Sequence, residues 1–78
     1  MTYRLWRVPV PQELRLAVFR LCTTQNPNDE RLGRTALAKK LGIATSTIDE
    51  VLEIGGALRE ETIAKVRLAV EALEKAGA

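Results

Sequence analysis

The sequence predicts a small all-α protein, a bundle of about four to five short helices preceded by an extended N-terminal arm. Three observations lead there. The chain has 78 residues, enough for one small domain and too few for a large parallel sheet or a barrel. Apolar residues make up 46% of it, ordinary for a folding chain, and Tyr3, Trp6 and Phe19 are its only aromatics, so the core must come from Leu, Ile, Val and Ala. From Pro11 onward the apolar positions recur at helical spacing, broken by short turns rich in Asn, Pro or Gly.

Residues 1–10 form the arm. Tyr3, Leu5 and Arg7 alternate with Arg4, Trp6 and Val8 as in a strand, and Pro9 and Pro11 bar an early helix. Residues 11–78 form the single domain. Its first helix is expected over about Pro11 to Thr23: Pro11 suits the first turn, Glu13 complements the positive helix end, and Leu14, Ala17, Val18, Leu21 and Cys22 share one face. Thr24 to Asn28 collects turn formers. Helical segments then run from Arg34 to Leu41 and from Ile43 to Ile54, separated by Gly42. After Gly55 and Gly56 a last helix extends to Ala76, with Ile63, Val66, Val70 and Leu73 on one stripe and Ala64, Leu68, Ala72 and Ala76 on another. That apolar surface is wider than one core face requires, which points to a second surface, such as a dimer partner.

Composition removes most chemistry. With no histidine and a single cysteine, there is no zinc set, no intramolecular disulfide and no base to activate a nucleophile. No Gly-rich phosphate loop appears either. The chain is therefore expected to be neither an enzyme nor a metal or cofactor protein, and Cys22, on the apolar face of the first helix, reads as a small buried hydrophobe. No apolar stretch approaches the ~20 residues a bilayer requires, and no secretory segment opens the chain. A cytoplasmic protein without membrane contact is expected. Residues 1–42 hold eight bases against three acids, net +5, and residues 43–78 hold four against seven, net −3, which together give the chain's +2. The basic half comes first, as in a chain with a polyanion-facing side or with complementary halves that meet in an oligomer.

The residues around Gly42 have the spacing of a helix-turn-helix, over about residues 34–53. Two short helices crossing steeply need a small residue where they approach, Ala38, and one able to take positive φ at the turn, Gly42. Leu37, Leu41, Ile43, Ile48 and Val51 supply the shared core.

Through these positions, the stretch Leu37-Ala-Lys-Lys-Leu-Gly-Ile-Ala-Thr-Ser-Thr-Ile-Asp-Glu-Val-Leu52 resembles the lambda repressor-like superfamily, and within it most closely the DNA-binding headpiece of lac-repressor-type regulators. Glu60-Glu61-Thr62 followed by Val66 resembles the start of that family's next helix. The resemblance covers about Arg34 to Leu73. It implies that the second helix of the motif enters the major groove of double-stranded DNA, with Thr45, Ser46 and Glu50 facing base edges and with Arg34, Thr35 and Thr47 at phosphate-contacting places. Arg59 stands where the family caps its next helix with Ser or Thr. The first helix and the basic arm have no counterpart in the lac-type headpiece, and no effector-binding domain follows. The resemblance therefore implies a small autonomous regulator of the plasmid or phage kind, without a small-molecule effector.

The second helix of the motif is acidic, with Asp49, Glu50 and Glu53 and no Lys or Arg. A carboxylate can accept from cytosine N4, but three negative charges in the groove would meet the phosphates. Asp49 and Glu50 follow Ser46 and Thr47 by three residues, the spacing of a helix cap. Affinity would then come from Arg34, Lys39 and Lys40 beside the helix and from Arg4 and Arg7 on the arm. The arm itself has two readings: insertion into the minor groove, or pairing with the same segment of a second subunit as a two-stranded ribbon. Alternation of Trp6, Val8 and Val10 favours packing.

The expected function is sequence-specific binding of double-stranded DNA as a homodimer, as a small transcriptional repressor or regulator. One motif reads only a few base pairs, and two-fold symmetry doubles the site. The rival is an interaction module of the same fold, whose acidic helix binds a basic protein partner.

Overall fold

A computed structural model describes residues 7–77, and in them the order is β1 (Arg7–Pro9), α1 (Gln12–Gln25), α2 (Glu30–Leu41), α3 (Thr45–Leu52), β2 (Ala57–Arg59) and α4 (Glu60–Lys75). Four helices and one short ribbon make a small helical bundle, as the periodicity predicts. Tyr3, Arg4 and Trp6 of the expected arm lie outside the described residues.

The first helix starts one residue later than expected and continues two residues further. The Thr23 and Thr24 hydroxyls donate back to the carbonyls of Phe19 and Arg20, at 3.1 and 2.9 Å, so these residues join the helix instead of breaking it. Asn26 then ends the helix in extended backbone, and its side-chain oxygen accepts from the N–H groups of Asn28 and Asp29, an Asx-type turn. Asp29 in turn caps α2: its carboxylate accepts from the N–H groups of Arg31 and Leu32. This cap moves the helix start four residues ahead of Arg34.

That extra turn brings α2 against α1. Gly33 is buried at the contact, and a Cβ there would stand 2.4 Å from the carbonyl oxygen of Cys22. The backbones touch.

At the other end of α2, Gly42 takes φ 73° and ψ 31°. The N–H of Ile43 donates to the Ala38 carbonyl at 3.0 Å and that of Gly42 to the Lys39 carbonyl at 3.3 Å, a Schellman stop. Helix α3 follows after Ala44. A Cβ at Gly42 would have no atom within 4 Å, so the glycine is required by its backbone angle and not by helix contact. Gly42→Val is therefore expected to lose about 1–3 kcal/mol from the strained φ alone. A melting temperature within about a degree of the parent would contradict this turn.

The ribbon departs from expectation. β1 pairs within the chain, antiparallel to β2, in the register Arg7↔Arg59, Val8↔Leu58 and Pro9↔Ala57, and Val10 N–H extends the pairing to the Gly56 carbonyl at 3.0 Å. The described part of the arm is thus paired inside its own chain. Its partner strand, Ala57–Arg59, lies where the sequence reads the beginning of the last helix, which starts at Glu60 instead.

Leu14, Val18, Leu21 and Cys22 of α1, Leu37 and Ala38 of α2, Ile48 and Val51 of α3, and Ile63, Val66 and Val70 of α4 form the core. Val8, Val10 and Leu58 close it from the ribbon, and Leu41, Ile43 and Leu73 pack at its margin. The second stripe of α4 stays outside: Leu68 is 67% exposed, and Ala64, Ala72 and Ala76 are exposed beside it.

Candidate nucleic-acid interface

The two helices on either side of Gly42 position most of the candidate residues. Lys39 and Lys40 are exposed in the last turn of α2, where cations suit the negative helix end. Neither enters an ion pair among the described residues. Across the turn, Thr45, Ser46 and Thr47 form the first turn of α3; Ser46 is exposed and its two neighbours are half-buried. No acid lies in this turn. It presents hydroxyls at the positive end of a helix dipole, a surface that suits anions, although the Thr47 N–H is already donated to the Ala44 carbonyl at 3.0 Å.

The acids of α3 are disposed differently from the sequence expectation. The helix is preceded by Ala44, with no side-chain cap, so Asp49 and Glu50 lie too far along it to serve as a cap. Asp49 instead accepts from the Arg34 guanidinium, Nη1 to Oδ1, at 3.0 Å. Glu30 stands 3.9 Å from the same guanidinium. Arg34, expected at a phosphate, is thereby the clasp between the start of α2 and the middle of α3, with its side chain 31% exposed. Burial of this clasp is partial, so its contribution to stability is small.

Glu50 is engaged inside the chain as well. Its carboxylate turns away from the open side of α3 and accepts from the N–H of Ala57, the first residue of β2, at 2.9 Å in a partly buried setting. The chain folds back tightly there, since a Cβ at Gly56 would stand 2.1 Å from the Glu50 carbonyl oxygen. Glu50 thus latches the ribbon to the end of α3. With Asp49 paired to Arg34 and Glu50 bonded to Ala57, Glu53, the residue just after α3, is the acid of this stretch left exposed without an ion pair among the described residues.

The remaining candidates are divided. Thr35 is exposed on α2, its hydroxyl donating to the Arg31 carbonyl at 3.1 Å. Arg7 is exposed on β1, and Arg4 lies outside the described residues. Arg59, which the sequence marks only as a helix boundary, stands directly opposite Arg7 in the ribbon. It reaches Glu61 at 4.0 Å. Two like charges in register disfavour a strand pair, so this end of the ribbon is a second basic locus that an anion would relieve. Only the pairing of residues 52 positions apart creates it.

Beside Arg34, a cleft of about 230 Å³ is lined by Phe19, Cys22, Thr23, Glu30 and Leu52. Burial pushes the Cys22 thiol above its usual range, with Arg34 pulling the other way and Asp49 and Glu30 adding to the rise. A thiol so placed is neutral and unreactive near pH 7. No group of three or more His, Cys, Asp and Glu side chains among the described residues is arranged to hold a metal ion. None of the described helices is long and apolar enough to cross a membrane.

Comparison with protein-family models, with curated proteins and with solved structures returns no match.

Proposed function

We propose that this chain is a small cytoplasmic transcription regulator, without enzymatic activity, cofactor or small-molecule effector, that binds double-stranded DNA sequence-specifically as a homodimer. The observation that carries this reading is the acid-free first turn of α3, with Ser46 exposed between half-buried Thr45 and Thr47, following the Gly42 turn that ends α2 at the exposed Lys39 and Lys40. In this reading the turn of hydroxyls enters the major groove and Ser46 meets base edges, while the two lysines approach phosphates. Arg7 and Arg59 offer a second phosphate contact at the ribbon. The internal engagement of Asp49 and Glu50 removes most of the support for the rival, an acidic helix that docks on a basic protein.

The double change Lys39→Ala plus Lys40→Ala tests it. Binding to all duplex sequences should weaken alike, and the slope of log K against log salt should become shallower by about 2, one unit for each phosphate that is no longer neutralised. Base preference should persist. Unchanged affinity at low salt would move the DNA surface elsewhere, with Arg7 and Arg59 the next site to substitute. Negligible, salt-insensitive binding of the parent to bulk duplex would remove the DNA reading altogether.

A further inference from the structure

The outer face of α4 is a helix surface with no packing partner among the described residues. Ile63, Val66 and Val70 enter the core and Leu73 packs at its edge, while Leu68, on the opposite side, keeps 67% of its surface. Ala64 and Ala72 lie one turn to either side of Leu68 and are also exposed. The face is narrow, apolar at its centre and smooth enough for another helix to approach closely.

The charges along this face reverse sign across Leu68. Three residues before it stands Lys65, and three residues after it Glu71; seven before it stands Glu61, and seven after it Lys75. All four are exposed. Arg67, by contrast, is turned toward α1, where it meets Glu13 at 3.0 Å.

We propose that this face docks on the same face of a second copy of the chain, antiparallel, about a two-fold axis passing beside Leu68. A two-fold contact must be self-complementary, because each residue of the patch meets the patch itself in reverse order. Antiparallel pairing brings Leu68 onto its own copy and sets Ala64 level with Ala72. It also sets Lys65 level with Glu71 and Glu61 level with Lys75, on both sides of the axis. Parallel pairing would set every charge level with its like. The contact runs from Glu61 to Lys75, about 21 Å at 1.5 Å per residue, so the dimer is held by one helix pair and should be concentration-dependent.

This inference rests on the homodimer in the proposed function and names the surface that forms it. Sedimentation equilibrium of the full chain over a concentration series reads it, with thermal melting at low concentration as the check on folding. The parent should dimerise. Leu68→Glu should raise the dimer dissociation constant by about tenfold or more while the low-concentration melt stays near the parent's, since Leu68 lies outside the core. Lys65→Glu alone should weaken the dimer, and Lys65→Glu combined with Glu71→Lys should restore it.

The possible failures differ. A parent that dimerises equally well with Leu68→Glu overturns the α4 interface and leaves the homodimer standing on another surface. If Leu68→Glu dissociates the dimer but the two charge variants do not weaken and restore it in turn, the antiparallel arrangement is overturned. A parent that is monomeric at every concentration overturns both this interface and the homodimer, whereas DNA binding itself is read separately from the salt titration.

Discussion

Gly33→Ala should be a strongly damaging change, lowering stability by about 2–3 kcal/mol or more. In an exposed helix interior the same change would gain up to about 1 kcal/mol from helix propensity. Here the sign reverses, because the new Cβ would sit 2.4 Å from the Cys22 carbonyl oxygen, 3.3 Å from the Cys22 carbonyl carbon and 3.5 Å from the Asn26 carbonyl oxygen. These are backbone atoms, fixed by the hydrogen bonds of α1 and its cap, and no rotamer change can move them. Relief requires α1 and α2 to separate, which opens the packing of Leu21, Cys22 and Leu37. For a domain of this size each kcal/mol is worth roughly 4–8 °C in melting temperature, so a fall of about 10–20 °C is expected in a thermal scan. Gly33→Val should leave little folded protein at room temperature. Gly42→Ala meets no neighbour and should lose stability through its positive φ alone, so the two variants separate backbone strain from a clash. A Gly33→Ala variant as stable as the parent would show that propensity wins and that the two helices do not meet this closely.

Gly42 and Gly33 also mark the boundary of what sequence can reveal. Gly42 is legible because everything that makes it a turn is local: a helical stripe before it, another after it, and a residue that accepts positive φ. Gly33 is not, since a glycine at a helix start reads as a break, and its purpose depends on the Cys22 carbonyl of another helix. The same distinction separates the loop from the ribbon. Asn26-Pro27-Asn28 announces a turn, yet apolar periodicity misses Asp29 as the cap that starts α2, although the chemistry of that cap is local. The pairing of Arg7–Pro9 with Ala57–Arg59 is non-local, and strands of three residues carry too little pattern to be recognised. In the candidate interface, Lys39, Lys40 and Ser46 are readable as exposed from helical periodicity. The acids of α3 are visible as charges but not as contacts, because their partners, Arg34 and Ala57, are brought to them by the crossing of α2 and by the fold-back after α3.

Glu50 is where that difference has its largest functional consequence, and Glu50→Ala is expected to lower stability by about 1–3 kcal/mol. The carboxylate accepts from the Ala57 N–H at 2.9 Å in a partly buried position, and truncation leaves that donor without its acceptor where water has only partial access. The strand partner at this level is Pro9, so β2 is held to α3 here by the side chain more than by the ribbon. Opening should concentrate in residues 53–59, and hydrogen exchange at the Ala57 amide should accelerate more than exchange in α1. Glu50→Gln should cost less, about 0.5–1.5 kcal/mol, because the amide oxygen can accept the same bond without the charge that strengthens it. If α3 reads DNA through Thr45 to Thr47, Glu50→Gln should leave base preference intact and raise affinity for bulk duplex slightly, as one negative charge near the phosphates disappears. A base-reading Glu50 would behave otherwise, losing about 1–3 kcal/mol of discrimination at one base pair with little change in melting temperature. Measuring melting, bulk affinity and base preference for both variants at two salt concentrations decides between these roles. Reduced discrimination at unchanged stability would return Glu50 to the groove, whereas a stability order of parent, Gln, Ala with constant base preference identifies it as the latch that holds the ribbon against the end of α3.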